Sequence, residues 1–407
     1  MFAQRARRAL TAFRLSLAAV LVVFSSSQVL ADAGFQRWVA EFRQVALQNG
    51  ISGATYDQAF RGVTAPDPEV LEKARYQPEF RAEPWEYFDN RVNDHSVTTG
   101  RQMAAQWKPW LDRIESQYGV SRYILLAIWS MESSYGEVLK NERVMRSVPR
   151  SLATLAYADS RRAKFARTQL LAALKILQTG DIDVGHLSGS WAGAMGHTQF
   201  IPTSYQAYAV DMDRDGRRDI WNSIPDALAT AANLLKSNGW RPGETWGYEV
   251  TLPAGRKFPA GSMSLSKWAS IGVARANGKG FPRASDNAEL KVPDGRAGPA
   301  FLMTKNFFVL KRYNNADTYA LAVGLLADAI AGHGGLVRDW NRPFERLSFT
   351  ETQELQQRLG TLGYYSGPID GKIGSGSRDA IRAFQQRLGV SPDGHPSKDV
   401  LHRLRRN

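Results

Sequence analysis

The 407-residue chain contains no cysteine, which excludes disulfide bonds and any site that depends on a thiol. A lipoprotein needs a cysteine at its cleavage site, so the chain is not expected to be one. The chain also lacks an uninterrupted apolar run as long as the ~20 residues that a membrane-spanning helix needs. Acidic residues are fewer than basic ones: the chain has 39 Asp and Glu and 52 Lys and Arg, which gives a net charge of +13.

The first 31 residues have the composition of a cleaved export signal. Four arginines between positions 5 and 14 precede an apolar stretch at 15–24, and small residues at 29–33 offer a cleavage site. Cleavage would leave a charge of +9 on a periplasmic protein. That charge suits an anionic cell wall better than nucleic acid, although general solubility would also explain it. An uncleaved anchor is the alternative, but the apolar stretch is short for one.

Length and periodicity indicate two or three domains. Apolar residues recur at helical spacing before about residue 240 and again at 317–331. Between about 241 and 310 Gly and Pro become frequent, and we expect a small β-rich lobe there. The short apolar runs that indicate its strands lie at 248–252, 301–303 and 307–310. Three Gly and one Pro within 332–344 predict a linker.

Residues 345–407 contain an internal near-repeat, in which Asp370-Gly371 and Asp393-Gly394 each precede a predicted helix. The predicted helices of this region cover 352–359, 377–385 and 397–404. The pattern resembles the small three-helix peptidoglycan-binding domain, with Ser377 where that family usually has Thr. We expect this domain to raise affinity for the wall without taking part in the chemistry. An unrelated three-helix packing module is the alternative.

Two segments contain the candidate catalytic and substrate-binding residues. In 127–136 a single acid, Glu132, ends an apolar helical run. A carboxyl against an apolar surface loses hydration, which raises its pKa and suits a general acid near neutral pH, whereas the alternative is a surface Glu in a last helical turn. In 189–202 small residues let the backbone pass close to a bulky group, and the amide of Gln199 lies among apolar neighbours and needs partners.

Together these two segments resemble the lytic murein transglycosylases of the membrane-bound lytic transglycosylase B family, and the resemblance covers most of the chain after the leader. It implies a mainly α (α+β) fold with a lysozyme-like catalytic core at 32–340, a β-rich insertion at about 241–310 and a peptidoglycan-binding domain at 345–407. It further implies that peptidoglycan glycan strands are the partner and that the chemistry requires no cofactor. We expect a monomer without a stable membrane anchor.

In that family one Glu protonates the glycosidic oxygen between N-acetylmuramic acid and N-acetylglucosamine. It then deprotonates the C6 hydroxyl of the same muramic acid, which attacks C1 and leaves a 1,6-anhydro end. The resemblance assigns both steps to Glu132. A hydrolytic glycosidase usually needs two carboxyls, and neither segment contains a second one. A hydrolytic muramidase and a non-catalytic peptidoglycan-binding scaffold remain as alternatives.

The resemblance also implies a set of substrate-binding residues. An amide would hydrogen-bond the sugar near the cleaved bond, its loop would shape the subsite wall, tyrosines would line the cleft, and two arginines would meet stem-peptide carboxylates. These residues are Tyr87, Arg161, Arg162, Met195, Gly196, Gln199, Phe200, Tyr313 and Tyr319. The alternatives are core packing or helix capping for the tyrosines and a solvated helix face for the arginines.

Residues 211–219 have acids at positions 1, 3, 5 and 9 of an EF-hand loop, with Gly at position 6. The candidate ligands are Asp211, Asp213, Asp215, Arg217 through its carbonyl, Asp219 and Asp226. Asn222 replaces the bidentate Glu at position 12, so weak or structural binding of Ca²⁺ or Na⁺ is expected. The loop resembles an EF-hand-like site in the same family. An acidic turn held by Asx hydrogen bonds is the alternative.

Overall fold

The computed structural model describes residues 33–75, 83–142 and 144–407, so the export signal predicted at 1–31 lies outside the described residues. The chain divides into two compact units, 33–75 with 138–223 and 83–137 with 224–407. Within these described ranges, none of the helices combines the length and apolar character needed to cross a membrane.

The first unit is helical and contains one short antiparallel strand pair. Its elements are α1 (33–48), α2 (Gly53–Ala59), α3 (Pro68–Arg75), β1 (Arg146–Ser147), α8 (Val148–Ala158), α9 (Ala163–Thr179), β2 (Ser188–Gly189) and α10 (Pro202–Tyr208). Helix α9 packs against α2, α8 and α10. It ends at Gly180, whose φ of 80° is the left-handed conformation common after a helix. This packing supports the loops that follow β2 and α10.

The second unit contains the helices that surround Glu132. They are α4 (Pro84–Arg91), α5 (Asp94–Gln106), α6 (Lys108–Tyr118), α7 (Arg122–Ser133), α11 (Ile224–Ser237), α13 (Lys305–Leu310) and α14 (Asp317–Ala331). Helix α7 is the central one, because α5, α6, α11 and α14 all pack against it. Its residues are mostly buried, which explains why its sequence is apolar on nearly every side. Ser121 caps its first turn.

The predicted β-rich lobe is a five-stranded antiparallel sheet in the order β4-β6-β7-β3-β5. Its elements are β3 (Gly247–Thr251), β4 (Ser262–Ser264), α12 (Leu265–Ser270), β5 (Ala274–Arg275), β6 (Asn287–Lys291) and β7 (Ala300–Met303). The strand expected from the apolar run at 307–310 is wrong, because these residues form α13. A run of four apolar residues fits a buried helix turn as well as a strand. The helix is favoured here because Asn306 hydrogen-bonds the backbone of Arg241 and Glu244.

The C-terminal domain has the three helices that the sequence predicts, α15 (Phe349–Thr361), α16 (Ser375–Arg387) and α17 (Lys398–Arg405). The near-repeat is a repeated hydrogen-bond arrangement. Gln356 donates to Asp370 and accepts from Gly371 N, while Gln385 donates to Asp393 and accepts the N–H of the following glycine. Each glutamine thus fixes one Asp-Gly turn against a helix.

The predicted linker at 332–344 is anchored along its length. Trp340 stacks on Phe88 of α4 with ring centroids 4.0 Å apart and an interplanar angle of 2°. Arg342 donates to Asp89 Oδ1 at 2.8 Å, and Glu249 of β3 accepts backbone N–H groups of the linker at 2.8 Å. The linker therefore packs as part of the second unit instead of being a loose tether.

Candidate active site

Glu132 lies in the last turn of α7, immediately before a sharp change of chain direction. Ser134, Tyr135 and Gly136 have φ angles of 50°, 57° and 92°. Two consecutive non-glycine residues in the left-handed region are costly, so the surrounding packing must hold this turn. Tyr135 contributes to that hold, because its hydroxyl donates to Ser96 O at 2.7 Å. The turn ends the helix and leaves the carboxyl partly exposed at its end.

Among the residues that the structure describes, the carboxyl of Glu132 has one hydrogen-bond partner, the hydroxyl of Tyr319, which donates to Oε1 at 2.5 Å. Burial raises the pKa of Glu132 to about 7. The Tyr319 hydrogen bond and the positive charge of Arg91 act in the opposite direction but are weaker than the loss of hydration. The acid therefore holds its proton near neutral pH and can also release it there.

The three predicted tyrosines lie close together, and one of them contacts this carboxyl. The ring of Tyr313 stacks on that of Tyr319, with centroids 6.3 Å apart and an interplanar angle of 7°. Tyr87 is near enough to Tyr319 to help raise its pKa. The guanidinium of Arg91 lies over the Tyr87 ring at 5.7 Å and donates to Met131 O at 3.3 Å. The structure thus brings Glu132 and the three tyrosines together from three separate chain segments.

Two cations near Glu132 were missed by the sequence analysis. Arg91 follows Tyr87 by four residues on α4, a spacing that places both on one helix face and was an available signal. Lys372 donates from Nζ to Ser134 Oγ at 3.2 Å. No local pattern could have indicated Lys372, because it comes from the C-terminal domain, 238 residues further along the chain.

The glycine-rich segment 189–202 is a tight loop of the first unit. Met195 and Phe200 pair through backbone hydrogen bonds of 2.9 and 3.0 Å, and both side chains are buried. Gln199 has a φ of 48° and donates from Nε2 to Gly196 O at 2.9 Å. A Cβ on Gly196 would lie 2.4 Å from Ile220 O, so the close approach predicted here is to the chain's own backbone.

The two predicted arginines differ in their surroundings. Arg162 donates to Asp159 at 2.8 Å and to Ala74 O at 3.1 Å, and its guanidinium lies 5.5 Å from the centre of the Trp191 ring. It therefore supports the fold of the first unit. Arg161 has a 72% exposed side chain and lies 3.8 Å from Asp159, so its charge is open to solvent.

The acidic loop has features of both a cation site and an Asx turn. A carboxylate oxygen of Asp211 and one of Asp213 lie within 4.8 Å of each other. Backbone N–H groups of the loop donate to Asp211, Asp213 and Asp215 over 2.7–3.3 Å, as in the expected Asx alternative. Asp219 accepts backbone N–H groups at the end of the loop, and Asp226 is buried in the first turn of α11 in the second unit. The oxygen-rich loop fits a hard cation. Arg217 is exposed within it.

Comparisons with known proteins identify two related families and one relative. A family described as transglycosylase SLT domain matches residues 34–328, and one described as peptidoglycan binding domain matches 350–404. Membrane-bound lytic murein transglycosylase B of Escherichia coli is 31% identical over 245 residues, which is 59% of this chain and 65% of that protein.

Solved structures extend the likeness. SltB3 from Pseudomonas aeruginosa, crystallised with NAG-NAM-pentapeptide, is 46% identical, with a TM-score of 0.72 over 91% of this chain and 99% of that one. Slt35 from Escherichia coli, in complex with calcium, is 26% identical, with a TM-score of 0.60 over 74% and 93%. The chain, with its lysozyme-like and mainly helical fold, therefore belongs to the transglycosylase SLT domain family.

Proposed function

We propose that this protein is a lytic transglycosylase of peptidoglycan, which cleaves the β-1,4 bond between N-acetylmuramic acid and N-acetylglucosamine. The observation that carries the proposal is Glu132, a lone carboxyl at a helix end with a pKa near 7 and a tyrosine hydroxyl on one oxygen. Such a group is poised for both halves of an acid–base cycle at neutral pH. Family membership supports the same activity.

In the first step, protonated Glu132 donates its proton to the glycosidic oxygen, the bond from that oxygen to C1 breaks, and N-acetylglucosamine leaves with a new hydroxyl. In the second step, the carboxylate takes the proton from the C6 hydroxyl, and O6 forms a bond to C1. The product is a 1,6-anhydromuramic acid end, no water is added, and Glu132 regains its proton. The Tyr319 hydroxyl fixes one carboxyl oxygen and leaves the other available to the substrate.

The substrate proposal is a glycan strand that carries stem peptides. SltB3 was crystallised with NAG-NAM-pentapeptide and with NAG-anhNAM-pentapeptide, and these ligands have the chemistry of a substrate and a product of such a reaction. In the second unit, Tyr313 and Tyr87 would offer ring faces to sugars beside the acid. Gln199 would contribute an amide, and its loop would be supported from beneath by the buried Met195 and Phe200.

A hydrolytic muramidase would need a second carboxylate to activate water. Neither the segment 127–136 nor the segment 189–202 contains a second acid, which favours the lyase. A non-catalytic scaffold would have no use for a carboxyl with its pKa near 7. Export to the periplasm is part of the proposal, since the wall lies there, and it depends on the leader predicted at 1–31.

Digestion of purified sacculi, followed by mass spectrometry of the soluble muropeptides, tests this proposal. We expect anhydromuropeptides from the wild-type protein and a loss of at least about 100-fold in their rate of release with Glu132→Gln. Reducing-end products would move the protein to the hydrolases. Release that survives in the variant would remove Glu132 from the chemistry, and the absence of products with binding retained would favour the scaffold.

We also propose that the loop at 211–219 holds a structural Ca²⁺. The spacing of its acids, the closeness of Asp211 to Asp213 and the calcium complex of Slt35 support this. The cation would offset the repulsion between the carboxylates and stabilise the first unit. We expect EGTA to lower the melting temperature of the wild-type protein and to leave that of Asp211→Asn unchanged. An identical response of both proteins would contradict the site.

A further inference from the structure

The C-terminal domain packs directly on α4, the helix that carries Tyr87 and Arg91. Asn90 donates to Ile373 O at 2.9 Å and accepts from Ile373 N at 2.8 Å, a reciprocal pair of hydrogen bonds. Arg378 forms an ion pair with Glu86, whose side chain is 7% exposed. A buried ion pair and a reciprocal amide contact fix the position of one surface against another. The loop at 370–374 is thereby held against the catalytic helices.

That loop is itself rigid. Gln356 of α15 donates both to Asp370 Oδ1 at 3.0 Å and to Lys372 O at 2.9 Å, and it accepts from Gly371 N at 2.9 Å. Asp370 Oδ1 also accepts from Lys372 N at 3.0 Å. The backbone N–H and C=O of Lys372 are thus both held by hydrogen bonds, and the side chain extends from this fixed backbone.

The ammonium of Lys372 ends beside the catalytic segment. It donates to Ser134 Oγ, two residues after Glu132. Burial lowers the pKa of Lys372, and the charge of Arg91 lowers it further. Arg91 donates to Met131 O and its charge acts on Glu132, while the charge of Asp370 acts on Lys372. Two half-buried cations beside the acid offer a further anion a site where charge-assisted hydrogen bonds can compensate its charge.

We propose that Lys372, together with Arg91, binds a carboxylate of the stem peptide on the muramic acid at the cleavage site. This inference rests on the proposed function, because it names the part of the substrate that the same site recognises. Stem peptides carry carboxylates, and an ammonium beside a guanidinium is the chemistry that pairs with one. The wall-binding domain then contributes a substrate-positioning residue to the catalytic site, in addition to raising affinity for the wall.

A cavity of about 450 Å³ in the same domain gives the rest of the peptide a place to lie. Lys372 lines this cavity together with Tyr364, Tyr365 and the glycine- and serine-rich turn at 374–377. One side of the lysine thus lines a cavity with two tyrosines, and its tip contacts the catalytic segment. A peptide that leaves the sugar at the cleavage site would pass the ammonium before it enters the cavity.

The test compares two substrates, peptide-bearing glycan strands and the same strands after amidase treatment, which removes the peptides. For Lys372→Met we expect a loss of roughly tenfold in kcat/KM on peptide-bearing strands, mainly through KM, and less than about twofold on stripped strands. Lys372→Arg should restore most of the loss. Arg406→Met, which removes an exposed charge from the same domain, should leave kcat/KM on both substrates unchanged. Melting curves confirm that each variant is folded.

If Lys372→Met loses kcat/KM equally on both substrates, the proposal is overturned and Lys372 is a structural contact. If the variant loses no kcat/KM on either substrate, the proposal is overturned as well. A binding measurement separates this result from failure of the proposed function. In a Glu132→Gln background, titration with GlcNAc-MurNAc-pentapeptide and with the peptide-free disaccharide requires no turnover. We expect Lys372→Met to weaken only the first by roughly tenfold. If Glu132→Gln binds the pentapeptide ligand with the same affinity with and without Lys372→Met, the inference is contradicted, even if the wild-type protein proves inactive.

Discussion

Replacement of Glu132 by Gln should stabilise the protein at alkaline pH, although it removes the proposed catalytic acid. The pKa of this carboxyl is about 7 in the folded protein against an ordinary value of 4.5. Below pH 4.5 the group is neutral in both the folded and the unfolded chain and costs nothing. As the pH rises through 7 it ionises in the folded chain, which then bears the full cost of a poorly hydrated charge.

The size of the effect follows from the pKa difference. The interval from 4.5 to about 7 corresponds to about 3.4 kcal/mol at 1.36 kcal/mol per pH unit. Partial exposure of the side chain makes this an upper limit, and we expect about 1–3 kcal/mol. The glutamine variant is uncharged at every pH, so its advantage over the wild type should be absent near pH 4 and complete near pH 8.

Urea unfolding, followed by the fluorescence of the 11 tryptophans between pH 4 and pH 9, measures this difference. All other titrating groups cancel when the two proteins are compared at the same pH. Glu345→Gln is the matched control, because its carboxyl is exposed and stays hydrated in the folded chain. If the free energies of unfolding of Glu132→Gln and wild type run parallel over the whole range, the acid is hydrated and the reasoning on its pKa is refuted.

Two further changes test the surroundings of the site. Tyr319→Phe removes a hydrogen bond that lowers the pKa of the acid, so the alkaline limb of kcat/KM should move upward by about one pH unit. Tyr135→Phe, which loses a different, partly buried hydroxyl hydrogen bond, should leave the alkaline limb in place. An unmoved limb in both variants would disprove the coupling between Tyr319 and the acid. Gly196→Ala should cost at least about 2 kcal/mol more in thermal unfolding than Gly255→Ala, since both glycines have a φ near 68° but only the first faces a carbonyl oxygen at 2.4 Å. Equal costs would contradict that account.

The sequence could place Glu132 at the end of a helix, because the apolar run before it is continuous in the chain. The catalytic role proposed for it came from the resemblance of the flanking residues to the family. The sequence also indicated the sheet and the three C-terminal helices, since their patterns are local. The strand predicted at 307–310 was wrong, because four apolar residues are too few to show a period. The hydrogen bond beside this run that favours the helix comes from Arg241, more than sixty residues away in the chain.

The cations beside the acid show the other limit of sequence analysis. Arg91 could have been found from its helical spacing to Tyr87. Lys372 could not, because its position depends on Gln356, which fixes its loop, and on Asn90, which holds the domain in place. Long-range packing of this kind leaves no trace in the local pattern of residues. The same holds for Met195 and Phe200, whose burial depends on the whole first unit.

The anchored linker has a consequence for which bond of a glycan strand is cut. A wall-binding domain on a loose tether would raise the local concentration of enzyme without selecting which bond is cut. Here Trp340 and Arg342 attach the linker to the helix beside the acid. The cavity lined by Lys372 is then held at a fixed position relative to Glu132 within the second unit. If it takes the stem peptide as proposed, the domain helps to select which bond is cut, because it favours muramic acid that carries a peptide.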